Sequence, residues 1–265
     1  YLIAEARKGG KVAVFLKPCD SYSFVQLLKE HRIARERVYA VGVPCEGMCD
    51  MEKIKAKGIS GVTGIEEQGE TLRLRTLYGE ETLNRADVLL EKCAVCKSKK
   101  IVCFDELLGE QGEEQSSDRF AEVERLEAMS PEERFAFWRG ELSRCIRCNA
   151  CRNVCPACSC EKCVFDNPES GAQNKAAADS FEENLFHIIR AFHVASRCTD
   201  CGECSRVCPQ HIPLHLLNRK FIKDINELYG EYQAGADFDT KPPLMNFDKG
   251  DCEPSVVYER GGAAR

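Results

Sequence analysis

Eight cysteines stand in two runs of identical spacing. Cys145-Ile146-Arg147-Cys148-Asn149-Ala150-Cys151-Arg152-Asn153-Val154-Cys155-Pro156 is echoed by Cys198-Thr199-Asp200-Cys201-Gly202-Glu203-Cys204-Ser205-Arg206-Val207-Cys208-Pro209. Both read C-x2-C-x2-C-x3-C-P, the spacing with which bacterial chains hold cubane 4Fe–4S clusters. Three thiolates two residues apart wrap one face of a cubane, and the amides of the tight loop point at its sulfurs. The fourth cysteine is expected to begin a helix, with the proline turning the chain away. Structural zinc and disulfides are the competing readings. The chain has 18 cysteines in 265 residues, many of them in tight C-x-x-C runs. Disulfide scaffolds are normally short secreted chains, so metal ligation in a reducing compartment is the better reading. Thiolate clusters also suffer from oxygen, which suits an anaerobic cell.

The paired runs resemble the dicluster ferredoxin fold. In two-cluster ferredoxins the fourth cysteine of each run ligates the other cluster. That resemblance assigns Cys145, Cys148, Cys151 and Cys208 to one cluster, and Cys198, Cys201, Cys204 and Cys155 to a second. The segment between the runs is long for a minimal ferredoxin and carries Cys158, Cys160 and Cys163. These serve either another metal or packing beside a cluster, and packing is favoured. Ile146, Val154, Val207 and Ile212 flank the sites and are expected to exclude water, which helps set a reduction potential.

A second set of cysteines lies near the start of the chain: Cys19, Cys45, Cys49, Cys93, Cys96 and Cys103. Cys19 and Cys45 each follow a proline at the end of an expected strand, and parallel strands bring such loops to one edge. Cys93-Ala94-Val95-Cys96 is a two-ligand hook. Together these make four thiolates, enough for a third cluster or a zinc ion; unmetallated core cysteines are the remaining reading. This half resembles the beta subunit family of coenzyme F(420)-reducing hydrogenases and dehydrogenases. The matching elements are Val12 to Cys19, Val41 to Cys45, and Cys93 to Cys96. The resemblance implies a 4Fe–4S cluster on Cys19, Cys45, Cys93 and Cys96, with Cys49 as the substitute ligand. The family also binds FAD, but no G-x-G-x-x-G follows a strand, so FAD is left unsupported.

The elements that must position these residues follow from patterning. Lys11 to Leu16 and Val38 to Val43 predict strands. Between them a helix is expected over Tyr22 to His31, capped by Asp20. A short helix over Met51 to Lys57 stops at Gly58, and Leu72 to Leu77 alternates like a half-exposed strand. The fold class expected is an α/β N-terminal domain with a small parallel sheet, then an α+β dicluster ferredoxin-like domain with helical insertions and an extended C-terminal tail. Residues 1–109 form the first domain and residues 110–129 hold the acidic linker (Glu110 to Asp118) and the start of a helix. Residues 130–229 form the cluster domain and 230–265 the tail, which is expected to lie along a partner. Ser130-Pro131-Glu132-Glu133 is a capping box with proline at the first helical position, and Asn184 to Ala195 predicts a helix bridging the two runs. His187, His193, His211, His215 and Trp138 are expected in surface or packing roles, and Lys97, Lys99 and Lys100 on a solvated face.

The net charge of −6 with mixed signs argues against nucleic acid, which needs clustered Lys and Arg. No apolar run approaches the ~20 residues of a membrane span. The chain opens at Tyr1 with no leader, so a longer protein without a signal peptide is expected, in the cytoplasm or peripheral to the membrane through partners. The function expected is an iron–sulfur electron-transfer subunit of a multi-subunit anaerobic oxidoreductase. By resemblance that complex is of hydrogenase, formate dehydrogenase, aldehyde oxidoreductase, heterodisulfide reductase or sulfite reductase type. The substrate chemistry would belong to a partner with a flavin, nickel–iron, molybdenum or tungsten centre. The alternative is a FAD-containing reductase that itself reduces a deazaflavin, ferredoxin or nicotinamide.

Overall fold

The computed structural model describes residues 2–167, 180–246 and 249, with side chains omitted for 180–183. The N-terminal half opens with helix α1 (Leu2–Arg7), strand β1 (Val12–Leu16), helix α2 (Pro18–Lys29) and strand β2 (Val38–Gly42). α2 starts earlier than its sequence suggests. Pro18 takes the first helical position, and Asp20 sits one turn inside, where its carboxylate accepts from the Lys17 backbone N–H at 3.3 Å. β1 and β2 pair in parallel from Val12↔Val38 to Leu16↔Gly42, and β6 (Glu106–Leu107) joins β2 to complete a three-stranded parallel sheet. Leu16, Phe24, Leu27, Leu28, Val38 and Ala40 bury against one another beneath it. On the other face Phe15 and Tyr39 are exposed and Val41 is buried.

Between β2 and β6 the chain builds a unit the periodicity showed only in part. α3 (Met51–Ala56) ends at Lys57 with Gly58 at φ +83°, as the glycine stop requires. β3 (Val62–Gln68), β4 (Thr71–Thr76) and β5 (Gly79–Asn84) then form a separate antiparallel sheet. β4 alternates as expected. Leu72 and Leu74 are fully buried with Ile54 and Val88, each such side chain contributing roughly 1.5–3 kcal/mol, while Arg73 and Arg75 face solvent and pair with Glu80 and Glu66. Two short helices, α4 (Arg85–Val88) and α5 (Glu91–Ala94), lead into Cys96.

The acidic segment is irregular but not free. Lys99 N–H donates to Glu113 O at 2.8 Å, Gln115 N–H donates to Lys97 O at 2.8 Å, and the Gln111 amide brackets Ile101. Beyond it come α6 (Ala121–Glu127) and α7 (Pro131–Leu142), the second opened by the expected capping box: Glu133 N–H donates to Ser130 Oγ, and Ser130 N–H to the Glu133 carboxylate. α8 (Ala150–Val154) and α10 (Glu203–Arg206) are the equivalent short helices of the two cysteine runs, α9 (Ser180–Val194) bridges them, and α11 (Leu214–Tyr229) packs on α9. Trp138 packs between the cores under α6 and α7, as expected.

The start of the tail folds back instead of extending. Tyr232 and Ala234 bury against Ala195 and Ile225, and Thr240 O accepts from Lys29 Nζ. The remainder of the expected tail, 247, 248 and 250–265, lies outside the described residues.

Polar contacts tie the two halves together. Arg197 forks onto Glu30, Nε to Oε1 at 2.7 Å and Nη2 to Oε2 at 2.5 Å, with both side chains mostly buried. Burial alone would push the Glu30 carboxyl up, but bonds from Arg197 and Gln26 hold it below its ordinary 4.5. Its contribution is therefore complete above about pH 4.5 and lost as pH falls through the depressed folded value. Glu30→Gln is expected to lower stability by about 2 kcal/mol at pH 7. The difference in denaturation midpoint from the parent should close as pH falls toward 3; a pH-independent gap would count against an ionic role.

Candidate iron–sulfur sites

The two cysteine runs take the same backbone path. Arg147 and Asp200, at equivalent positions, have φ +53° and +58°; Asn149 and Gly202, also equivalent, have φ +61° and +66°. These left-handed residues curl each loop so that amides point inward: Arg147 N–H lies 3.4 Å from Cys145 Sγ. Residue Asn149 tolerates this backbone because its short polar side chain suits it. Gly202 has a second reason, since a Cβ there would stand 2.6 Å from Cβ of Lys92, on α5. The third cysteine of each run, Cys151 or Cys204, lies inside the short helix, and the fourth follows it. This corrects the expectation that the fourth begins a helix. Starting at the left-handed residue places the third cysteine in the first turn, and the proline then ends the helix.

Twelve cysteines gather around three cavities. Cys145, Cys148, Cys151 and Cys208 line one, with Ile212 and Leu214 behind them. Cys155, Cys198, Cys201 and Cys204 line a second, so Cys155 leaves its own run and joins the other. Cys19, Cys45, Cys93 and Cys96 line a third, where α2 begins, β2 ends and α5 closes. Thr199, Asp200 and Cys201 border both of the latter two, so these cavities are adjacent. The first has an exposed rim, with Cys148 exposed and Ile146 59% exposed, against the expectation that Ile146 seals it. Ile212, at 1%, does so.

Burial pushes the Cys19 and Cys201 thiols up to about 12 and Cys151 to about 11. Cys155 is raised by its hydrogen bond with the Cys158 thiol as well as by burial, and Cys198 by burial. Without a compensating cation these groups stay neutral, and a metal centre would supply that cation and release the protons. Among the described residues no three His, Cys, Asp or Glu side chains approach closely enough to hold a single metal ion. Zinc draws every sulfur to about 2.3 Å from one point, whereas a cubane spreads its four thiolates over four irons. Each cavity offers four thiols, the ligand number of a 4Fe–4S cluster.

Around the sites the structure adds residues that motif reading gave other roles. His187 is 1% exposed, and its Nε2 lies 3.2 Å from Cys145 Sγ. Desolvation pushes this imidazole down to about 3, so it is neutral, with Nε2 at hydrogen-bond distance from the sulfur. Asn218 Nδ2 lies 3.7 Å from Cys204 Sγ. Lys97 is not solvated: its ammonium sits 4.3 Å over the Tyr22 ring and reaches Thr199 O at 3.3 Å, and burial pushes it down to about 8. Lys92 pairs with Glu203, and His215 bridges Ser205 and Glu91, binding α5 to the second run. A helical period of His187 with Arg190 was the available signal, but periodicity does not say what a buried face meets. Cys49 bridges to Leu89 in the antiparallel-sheet core and Cys103 packs on the parallel-sheet core; neither lines the N-terminal cavity. Cys158, Cys160 and Cys163 line a separate cavity beside the second run, with Arg152, Arg190 and Arg197.

Residues 141–212 match the 4Fe-4S dicluster domain family, so the chain carries a ferredoxin-type dicluster domain. The chain is also similar over most of its length to the beta subunits of two F(420)-dependent formate dehydrogenases. It is 24% identical to the F(420)-dependent formate dehydrogenase subunit beta of Methanocaldococcus jannaschii, over 94% of this chain and 79% of that protein. It is 25% identical to F(420)-dependent formate dehydrogenase 1 subunit beta of Methanococcus maripaludis, over 92% and 78%. Both parts of the resemblance drawn from the residues are thus met. No helix among the described residues is long and apolar enough to cross a membrane.

Proposed function

We propose that this chain is the electron-transfer subunit of a formate dehydrogenase-type complex, holding three 4Fe–4S clusters on the twelve cysteines assigned above. The observation that carries this reading is the set of three four-thiol cavities, the second-run site sharing a wall with the N-terminal site and having Cys204 close to Cys151 of the first-run site. When bound, such clusters accept and release single electrons at potentials set by their surroundings. The residues of this chain do the rest. Crossed Cys155 and Cys208 lock the two runs into one unit, and Lys92 and Gly202 hold the N-terminal site against the second run. Exposed Cys148 and Ile146 offer an edge where a partner's centre can approach. The formate dehydrogenase setting comes from the relatives. The expected location is the cytoplasm, with a molybdenum or tungsten subunit performing the substrate chemistry.

Anaerobic purification with iron, sulfide, zinc and flavin analysis tests this. About twelve irons per chain are expected, four per cluster, and Cys93→Ala should remove about four without disturbing the dicluster signals. Stoichiometric zinc, or eight irons with Cys93→Ala silent, would overturn the third cluster. A bound flavin would instead favour a chain that itself reduces a deazaflavin.

A further inference from the structure

Helix α9 buries His187, Arg190, Ala191 and Val194 on one face, the i, i+3, i+4, i+7 spacing of a helical stripe. His187 touches Cys145, so this face fronts the first-run site. Arg190 lies one turn further on. It is 2% exposed, and among the described residues its three guanidinium nitrogens meet no oxygen or nitrogen acceptor; the groups they approach are the Cys158 and Cys204 thiols. The neighbouring arginines of the same cavity are already matched, Arg152 with Asp166 and Arg197 with Glu30.

A lone buried guanidinium is among the costliest groups a fold can carry. The groups around Arg190 are sulfurs: Cys204 and Cys155 of the second-run site, Cys151 of the first, and Cys158. As neutral thiols these give the charge nothing to balance. Four thiolates on an iron–sulfide core leave a net negative charge, which is what an unmatched guanidinium requires. Its planar fork also holds N–H groups in fixed directions toward two centres at once.

We propose that Arg190 is a shared potential-setting residue, one guanidinium held between the two runs and directed at sulfurs of both. An electron added at either site increases its negative charge by one, and the fixed cation makes that addition easier. Because the group is buried, salt screens it little. This rests on the reading that both runs hold clusters. It predicts that the two sites move together when Arg190 is changed, while the N-terminal site, whose cysteines are not among the sulfurs around Arg190 named above, moves least. Cys158, hydrogen-bonded to Cys155 and beside Arg190, belongs to the same polar shell, which accounts for a thiol the two motifs leave over.

The test uses the full chain, purified anaerobically and labelled with guanidinium-15N arginine. After dithionite reduction, pulsed electron paramagnetic resonance should show 15N coupling to the reduced dicluster, and Arg190→Lys should lose that coupling. In mediated titrations Arg190→Gln should lower both dicluster midpoint potentials, with Arg190→Lys retaining most of the parent values. Full iron content with no 15N coupling, or with both potentials unchanged in Arg190→Gln, would overturn the role of Arg190 and leave the proposed function standing. Absence of iron from the parent chain would overturn the proposed function itself. If Arg190→Gln fails to fold, the labelled parent and Arg190→Lys still decide.

Discussion

Cys155→Ala is expected to give the spectrum of Cys201→Ala, not that of its own neighbour Cys148→Ala. Cys155 follows α8 in the first run yet lines the cavity of Cys198, Cys201 and Cys204. Cys208 likewise follows α10 and lines the cavity of Cys145, Cys148 and Cys151. Each substitution should lower iron by about four per chain. Cys155→Ala and Cys201→Ala should remove one reduced-cluster signal, and Cys208→Ala and Cys148→Ala the other. If Cys155→Ala paired with Cys148→Ala, ligation would be uncrossed and the two runs would be independent sites. Of the four, Cys148→Ala should disturb the fold least, since its thiol is exposed.

Arg219→Met should lower stability by about 3 kcal/mol, by breaking a buried charge pair from one side. Arg219 is 2% exposed, its Nε donates to Asp200 at 3.0 Å, and Nη1 donates to Arg119 O at 3.1 Å and lies 3.6 Å from Glu91. Methionine keeps much of the volume, so the loss is chiefly that of the cation. Asp200 then remains 5% exposed with only Arg119, at 3.3 Å. A shift in denaturant midpoint at unchanged slope measures the loss, and adding Asp200→Asn should recover part of it. Because Asp200 sits between Cys198 and Cys201, the single variant should also release iron from the second-run site sooner under chelator. Unchanged stability and iron retention would mean that Arg119 alone satisfies Asp200.

Legibility tracked how local the cause was. The capping box at Ser130 and the Gly58 stop are set by neighbours in sequence, and they formed as read. The β4 alternation was visible, but its partners were not. β3 and β5 are mostly polar and exposed, and they become strands through pairing with β4. Lys97 looked like part of a solvated run because its ring partner, Tyr22, is 75 positions away and its carbonyl partner is Thr199. The first stretch of the tail, rich in Gly and Asp, gave no sign that Tyr232 and Ala234 would find a core.

The sequence by itself determined the chemistry. Two runs of four cysteines at identical spacing, a C-x-x-C and two Pro-Cys turns supply twelve candidate thiol donors, whatever the chain does between them. Only the tertiary structure decided that the N-terminal site abuts the second run and that Arg190 is buried beside thiols of both runs. The reason is physical. Spacing along a loop is fixed by a few backbone angles, whereas adjacency of distant sites and the burial of a charge depend on how helices from both halves of the chain pack.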